Sequence, residues 1–568
     1  MKQIAVFVCL LCFLAQFSGA PVRAAVLPIC TLQGEGGSTP YAGQTVRIEG
    51  VVTANFEQSA LRGFFLQQPN CDTNPNTSDA VFIYVGQNSS NVQIGDRVRV
   101  EGSAQEYRGV TEVVPAPTGI TNLGPAALPA PVDAAPPNGT WEPLEAMRVA
   151  LAVSSVTGPT NARGETWLIP QGGVYHLFAA SHQQIVFLNG GAYSLSPAAK
   201  TGDQISLAVA VIHQQDAIYQ LLALAQPVLT PAEVLSPEAL PSLTGKPAFT
   251  FASLNLHNLF DTYDDPATDD TVQTALQLAR QQQKIARLVR DVLYLPDILA
   301  VQEAENATVL QGLAARPELS GAPYAAILLE GADVRGIDVG LLYRTDRVTV
   351  FSAAAYQGCT TLVDGLGPDG NRDLLNPSNA QTCDTNGDGV LDGNRLFSRP
   401  PLLVQVQIAL RNGDFWDGFV LVNHWKSHTE DTDVVCYTCS RRAQQAQFVA
   451  QLTQNLPGSV LVLGDFNDAP DAAPAALRSL GLYHCGAGLP AAARYSYIYA
   501  GVASLFDQCW VARPNAAAWR LYPAPVNADY PETYADSAST FYRASDHDPL
   551  LGVFLRLDEQ VYLPLVTR

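Results

Sequence analysis

Beyond its first 25 residues the sequence has no apolar run long enough to span a bilayer, which argues against a later membrane helix. It is also short of positive charge. Lys and Arg number 33 against 53 Asp and Glu, and the formal charge of −20 excludes a generally basic surface for gripping nucleic acid. A polyanionic substrate remains compatible, because bound divalent cations and a local arginine cluster reverse the sign within one cleft. Charged residues make up only 15% of the chain and hydrophobic ones 47%, with 43 Gly and 39 Pro; this balance excludes a coiled coil or a disordered chain and suits loop-rich, β-containing domains. No second Cys-x-x-Cys accompanies "CYTC", so a zinc site there is disfavoured.

The N-terminus, by contrast, is rich in apolar residues. Lys2 precedes "IAVFVCLLCFLAQF", then small residues and "VRA" before Ala25, so residues 1–25 read as a signal peptide and the mature chain as secreted. Of ten cysteines, two (Cys9 and Cys12) lie in that leader; the even remainder favours disulfides in an exported chain. Paired in the order they occur, these are Cys30–Cys71, Cys359–Cys383, Cys436–Cys439 and Cys485–Cys509.

A chain of 568 residues has room for about three or four domains. Residues 27–125 alternate in short runs such as "QTVRIEGVVTANF", "AVFIYVG" and "DRVRVEGSAQEY", which predicts a small closed barrel. The order of the runs resembles the oligonucleotide-binding type of barrel found ahead of secreted nuclease domains. Phe64, Phe65, Phe82, Tyr84 and Tyr107 suit base stacking, and equally the core of a barrel. After "PAALPAPVDAAPPNG", residues 140–232 form a second β-rich region in which "TGDQISLAVAV" echoes "IGDRVRVEG"; it reads as a degenerate second barrel. From 247 to 557 strands alternate with helices, including one over "DTVQTALQLARQQQKIARLVRDVL" with Leu276, Ile285, Leu288, Val289 and Val292 at helical spacing. Residues 558–568 are a tail, a last strand or a sorting element.

Within that third region, polar groups close strand after strand. "LVLGDFND" ends in Asp465, Asn467 and Asp468, and similar ends carry Asn255, Glu303, His424, Asp507, and Asp546 with His547. Turn chemistry explains any one of them. Converging acids, however, repel one another unless a cation compensates them, and Asp465 and Asn467 project to one side of an extended chain. The loop "CDTNGDGVLDGNR" places Asp384, Asn386, Asp388 and Asp392 at calcium-loop spacing, with Arg395 where a bidentate Glu is expected; a weak Ca²⁺ site and an Asp/Asn/Gly turn are both open.

The succession "NLHN", "QE", "DVGLLYR", "NHWKS", "GDFND", "FDQ" and "SDHDP" resembles the endonuclease/exonuclease/phosphatase superfamily, and most closely its secreted nuclease branch with preceding barrels. The resemblance implies a four-layer α/β sandwich, two β-sheets flanked by helices, behind the N-terminal all-β barrels. It implies that Asn255, Glu303 and Asp546 bind Mg²⁺ or Mn²⁺, that Asp465 and Asn467 hold the scissile phosphate and orient water, and that His547, oriented by Asp507, is the general base. His424 is implied as phosphate binder or general acid, with Asp338 as its orienter. Arg344, Arg399 and Lys426, helped by Arg441 and Arg442, would face the substrate phosphate. His257 and His428 read as local. The expectation is a secreted, divalent-metal-dependent nuclease acting on extracellular DNA, and on RNA as a further substrate. The alternatives are a phosphoesterase of the same fold acting on phospholipid or sugar and inositol phosphates, and a non-catalytic binding or adhesion protein.

Overall fold

The computed structural model describes residues 25–557 except 137–138, 182–183, 189–196, 217, 361–381, 430, 432–435, 437 and 513–516. The expected signal peptide, apart from Ala25, and the expected tail therefore lie outside the described residues. The chain divides into two compact units, Met1–Val149 with Val209–Tyr219, and Ala150–Ala208 with Gln220–Arg568.

In the first unit, β1 (Thr45–Asn55), β2 (Gly63–Gln67), β3 (Ala80–Tyr84), β4 (Asp96–Tyr107) and β5 (Val110–Pro125) form a closed barrel in the order β1-β2-β3-β5-β4. Alternation drives it: Val46, Ile48, Val98, Val100 and Ala104 turn inward while the Arg and Glu between them stay outside. A Cβ on Gly102 would lie 2.2 Å from Val114 O, so only glycine lets β4 and β5 approach there. Phe64, Phe65 and Phe82 are buried; Tyr84 and Tyr107 are exposed. Three of the five aromatics thus serve packing.

The second β region contains β6 (Arg148–Gly158), β7 (Thr166–Ile169), β8 (Ile185–Leu188), β9 (Gln204–Gln215) and β10 (Ile218–Ala223) within a seven-stranded sheet. Their order is β9-β10-β8-β7-β6, with a further β9–β6 pairing. This retraces the ring of the first barrel. The third and fifth strands run parallel in both, Phe82 facing Glu112 in one and Val186 facing Gln220 in the other.

The third region is a sandwich of two six-stranded sheets. One has the order β13 (Tyr324–Leu328), β14 (Asp338–Arg344), β12 (Ile298–Ala304), β11 (Ala248–Leu259), β22 (Leu550–Arg556), β21 (Ala517–Tyr522). The other runs β15 (Val348–Ala355), β16 (Leu402–Ala409), β17 (Phe415–His424), β18 (Ser459–Asp465), β20 (Asp507–Ala512), β19 (Leu482–His484). Phe249, Phe251, Ile298 and Leu341 from the first meet Val404, Val422, Leu461 and Val511 from the second in one apolar layer. Outside, α1 (Ala275–Asp291) and α2 (Ala307–Ala314) cover the first sheet, and α3 (Cys439–Gln454) with α4 (Ala475–Ser479) cover the second. Helix, sheet, sheet and helix make four layers. All four expected disulfides are formed, and no helix among the described residues is long and apolar enough to cross a membrane.

Helix α1 opens with a capping box between Thr274 and Gln277. Its buried face carries Ile285, Leu288 and Val289, but Leu276 is 77% exposed, contrary to its expected place in that stripe. Nine residues separate Leu276 from Ile285, a rotation that brings it roughly 180° around the helix. The same helix buries Lys284, whose Nζ donates toward the carbonyls of Tyr534, Ser537, Thr540 and Tyr542 at 2.7–3.0 Å. The segment tied down in this way leads directly into Asp546 and His547. Lys284→Met leaves those carbonyls without their cation and should lower unfolding stability by roughly 2–4 kcal/mol. Urea denaturation checks this, and an unchanged midpoint would refute the tether.

Candidate active site

The parallel pairs β11/β12 and β17/β18 end at one edge of the sandwich, and their registers bring the terminal polar residues side by side. Asn255 faces Gln302, one residue before Glu303; His424 faces Asp465; Asp465 in turn faces Asp507 on β20. β18 is buried along nearly its whole length, as a central strand requires, until the backbone turns at Gly464. Gly464 has φ +142°, and a Cβ there would lie 2.0 Å from Asn423 O, so this position admits only glycine. Asn467 follows at φ +48°, a left-handed conformation that asparagine tolerates, and its N–H donates to Asp465 Oδ1 at 2.8 Å. Turn chemistry and site chemistry therefore use the same residues.

The free oxygen of that carboxylate, Asp465 Oδ2, is the hub. Asn255 Nδ2 donates to it at 3.3 Å, His424 Nε2 lies 3.5 Å away and His547 Nε2 3.9 Å away. His547 Nδ1 donates to Asp507 Oδ2 at 2.7 Å, which leaves Nε2 facing the hub. Tyr497 stacks on the His547 ring with centroids 4.6 Å apart. Glu303 sits at φ +61°; its Oε2 accepts from Asn258 N at 2.9 Å and its Oε1 is 3.9 Å from His424 Nε2. A bulky residue in the left-handed region is strained backbone, held here by the surrounding strands.

Burial and charge act in opposite directions on the two imidazoles. Burial, aided by the Arg399 charge, holds His424 neutral by pushing its pKa well below the usual histidine value. Burial acts the same way on His547, but the Asp507 and Asp465 carboxylates outweigh it and raise its pKa well above that value. Burial pushes Asp465 up, against the opposing charge of His547. Asp546 is also raised by burial, yet His257, His547 and Arg543 together bring it down to about 2.

Residues 250–375 match the model of the Endonuclease/Exonuclease/phosphatase family. No curated protein is matched by the sequence. Among solved structures, TDP2 of D. rerio complexed with single-strand DNA product is 18% identical, over 54% of this chain and 98% of that one, at a TM-score of 0.34. The catalytic domain of human Nocturnin is 14% identical over 55% and 95%, at 0.31. A mannosyl-6-phosphatase of Bacteroides thetaiotaomicron is 16% identical over 54% and 99%, also at 0.31.

The donor set at these strand ends can be tested against a divalent cation. Glu303 and Asp465 both place an oxygen within 4 Å of His424 Nε2, so two acids share one small volume. Among the described residues, the only three acidic, imidazole or thiol donors lying within 4.8 Å of one another are Cys30, Cys71 and Asp79, where both sulfurs are bonded in a disulfide. The acids at the strand ends therefore do not form a tight all-protein cage. Two carboxylates in one small volume are compatible with Mg²⁺, which takes one or two carboxylates and keeps much of its water.

Of the expected phosphate ligands, Arg399 is buried beside the site, its Nη2 donating to Trp425 O at 2.9 Å next to His424. Lys426 follows Trp425 and is buried. Arg344 is a correction. It lies at the far end of β14, because Asp338 faces Ala304 whereas Tyr343 faces Ile298 in the antiparallel register, and it pairs with Asp346 at 2.6 Å. The intervening residues put it on the order of 20 Å from Glu303. Asp338 is a second correction: its Oδ2 accepts from Gly331 N at 2.9 Å, and it makes no hydrogen bond to His424, whose Nδ1 has no partner. Arg441 and Arg442 are buried as structural ties, to Arg395 O and to Asp468 and Asp431. In the 384–392 loop, Asp384 accepts from the N–H groups of Asn386, Gly387 and Gly389, Asp388 from Val390 and Asp392 from Thr385, a series of side-chain-closed turns.

His257, expected to be local, reaches Asp546 with its charge, and Arg335, which was not among the expected site residues, donates to Asn258 Oδ1 at 3.2 Å. "NLHN" carried a signal for the first; the loop around Arg335 carried none.

Asp338 also yields a pH test. Burial raises its pKa from the ordinary 3.8 to about 7. The folded state then binds a proton that the unfolded state has lost, so this group's contribution to stability falls as pH rises from about 4 to about 7. Asp338→Asn should match the wild type near pH 4 and exceed its unfolding midpoint at pH 8. A pH-independent difference would contradict the assignment.

Proposed function

We propose that this protein is a secreted, divalent-metal-dependent nuclease that hydrolyses phosphodiester bonds of extracellular DNA, and of RNA as a further substrate. The observation that carries the reading is the pair of imidazoles converging on Asp465 Oδ2, one locked by Asp507 and one kept neutral by burial. A binding protein has no need of two imidazoles so oriented.

Glu303 and Asp546 with Asn255 would hold Mg²⁺ or Mn²⁺, which would supply Lewis acidity toward a phosphoryl oxygen and positive charge beside His547. The chain's own residues do the rest. Asp507 fixes His547 with Nε2 toward the reacting centre, where it accepts a proton from water. Asp465 and Asn467 orient that water. His424 presents Nε2–H toward a phosphate oxygen, and Arg399 adds positive charge at its back. Opening the phosphodiester by in-line attack leaves a 5′-phosphate and a 3′-hydroxyl. The exposed Tyr84 and Tyr107 of the first barrel offer stacking surfaces for a strand.

The test is nicking of supercoiled plasmid by the purified mature chain with Mg²⁺. His547→Asn and Glu303→Gln should each slow it by about 10²-fold or more, the usual size of a lost acid–base group, with melting temperatures little changed. EDTA should stop it. Full activity in either folded variant would sink the reading; release of phosphate from lipid or sugar phosphates without nicking would keep the site and change the substrate.

A further inference from the structure

The four disulfides differ in how open they are to attack. Cys30 and Cys509 are buried, and Cys71, Cys359, Cys383 and Cys485 are partly buried. Only in Cys436–Cys439 are both halves exposed. Its ring is also the smallest: the paired positions are 3 residues apart, against 41, 24 and 24 for the others. A disulfide steadies a fold mainly by limiting the unfolded chain, and a short loop limits it least. Opening this one therefore costs the fold little. Exposed disulfides of this kind are the ones that exchange with external thiols.

Its surroundings polarise the bond. Arg442, fully buried in the first turn of α3, brings Nη2 to 3.4 Å from Cys436 Sγ and 3.6 Å from Cys439 Sγ. A guanidinium this close to sulfur favours a thiolate over a thiol. The two sulfurs are not equivalent, however. Asp431 Oδ2 lies 3.4 Å from Cys436 Sγ and opposes negative charge there. That carboxylate is fixed by the Thr438 N–H and hydroxyl, both at 2.8 Å, and by Arg442 Nη2 at 3.2 Å, with His428 Nδ1 2.9 Å away. Cys439 instead opens α3, whose N-terminus favours negative charge. Cys439 is thus the better leaving group, and Cys436 the sulfur to be attacked.

We propose that Cys436–Cys439 is a reversible thiol–disulfide exchange site, opened by an external dithiol while the other three disulfides stay closed. One thiolate of the dithiol attacks Cys436 Sγ; the bond to Cys439 breaks and its electron pair leaves on Cys439, beside Arg442. The second thiolate of the dithiol then displaces Cys436 from the mixed disulfide. The protein gains two electrons and the dithiol is oxidised to its cyclic disulfide. Of the two protons the dithiol gives up, one passes to Cys436 and one to solvent, with Cys439 held as the thiolate. Arg442 also donates Nε to Asp468 at 3.2 Å and Nη1 to the carbonyls of Lys426 and Ser427 at 3.3 Å. Those residues follow Asp465 and His424 closely in the chain, so opening the disulfide acts on the guanidinium that joins their loops. The proposal concerns thiol chemistry and stands whether or not the chain cleaves nucleic acid.

Reduction of the native full mature chain by dithiothreitol tests it, with free thiols trapped by iodoacetamide at intervals and located by peptide mass spectrometry. Cys436 and Cys439 should be alkylated about tenfold or more faster than any other cysteine, with the circular dichroism spectrum unchanged. Excess oxidised dithiothreitol should close the bond again. In Cys436→Ser, which leaves Cys439 as a single free thiol, the pH profile of alkylation should give a pKa below the ordinary value of about 8.5. Four disulfides opening together, opening of this one only as the fold is lost, or failure of the bond to close again would overturn the proposal. A Cys439 thiol titrating at or above the ordinary value would overturn its role as leaving group.

Discussion

The constraint on which the catalytic-type domain turns is the burial of acids beside imidazoles at one edge of a β-sandwich. Asp465, Asp507 and His547 are all buried, and Asp465 Oδ2 is within 4 Å of both His424 and His547. Such a cluster is unfavourable unless every charge has a counterpart. The surrounding structure supplies those counterparts one by one. Asp507 meets His547, Glu303 takes the Asn258 N–H, the charges of His257, His547 and Arg543 offset Asp546, and Lys284 pins the segment that delivers His547. Glu303 and Asp465 remain close together, and the proposed divalent cation would balance their charge.

This arrangement would reconcile a strongly acidic chain with the polyanionic substrate proposed for it. The global charge of −20 repels a phosphate backbone at long range. At the site the balance is local, set by Arg399, Arg335 and, as proposed, a cation held by the acids. No disulfide joins the two sheets of the sandwich; Cys436–Cys439 closes the start of α3 and Cys485–Cys509 ties a loop to β20, which is compatible with oxidising surroundings.

Much of this was legible in the sequence because strands announce their ends. Asn255, His424, Asp465 and Asp507 could be located from apolar runs that stop at a polar residue, and parallel register then places such ends together. Side-chain partners across loops are different. Nothing in "DVGLLYR" says that the antiparallel return of β14 sends Arg344 to the wrong end, or that Gly331 takes the carboxylate of Asp338. The buried Lys284 looked like any charged residue on an amphipathic helix, since its four carbonyl partners lie some 250 residues along the chain. The echo between the two β regions was faint in residues yet complete in strand order, because a barrel's topology depends on alternation and register more than on identity.

The claim that the strand-end acids exist to hold a cation is tested most directly by Mn²⁺ binding to the purified mature chain, followed by water-proton relaxation or electron paramagnetic resonance. The account predicts stoichiometric binding, displaced by Mg²⁺, that is lost or sharply weakened in Glu303→Gln while that variant keeps its melting temperature. Failure of the folded wild type to bind Mn²⁺, or identical binding by Glu303→Gln, would contradict it.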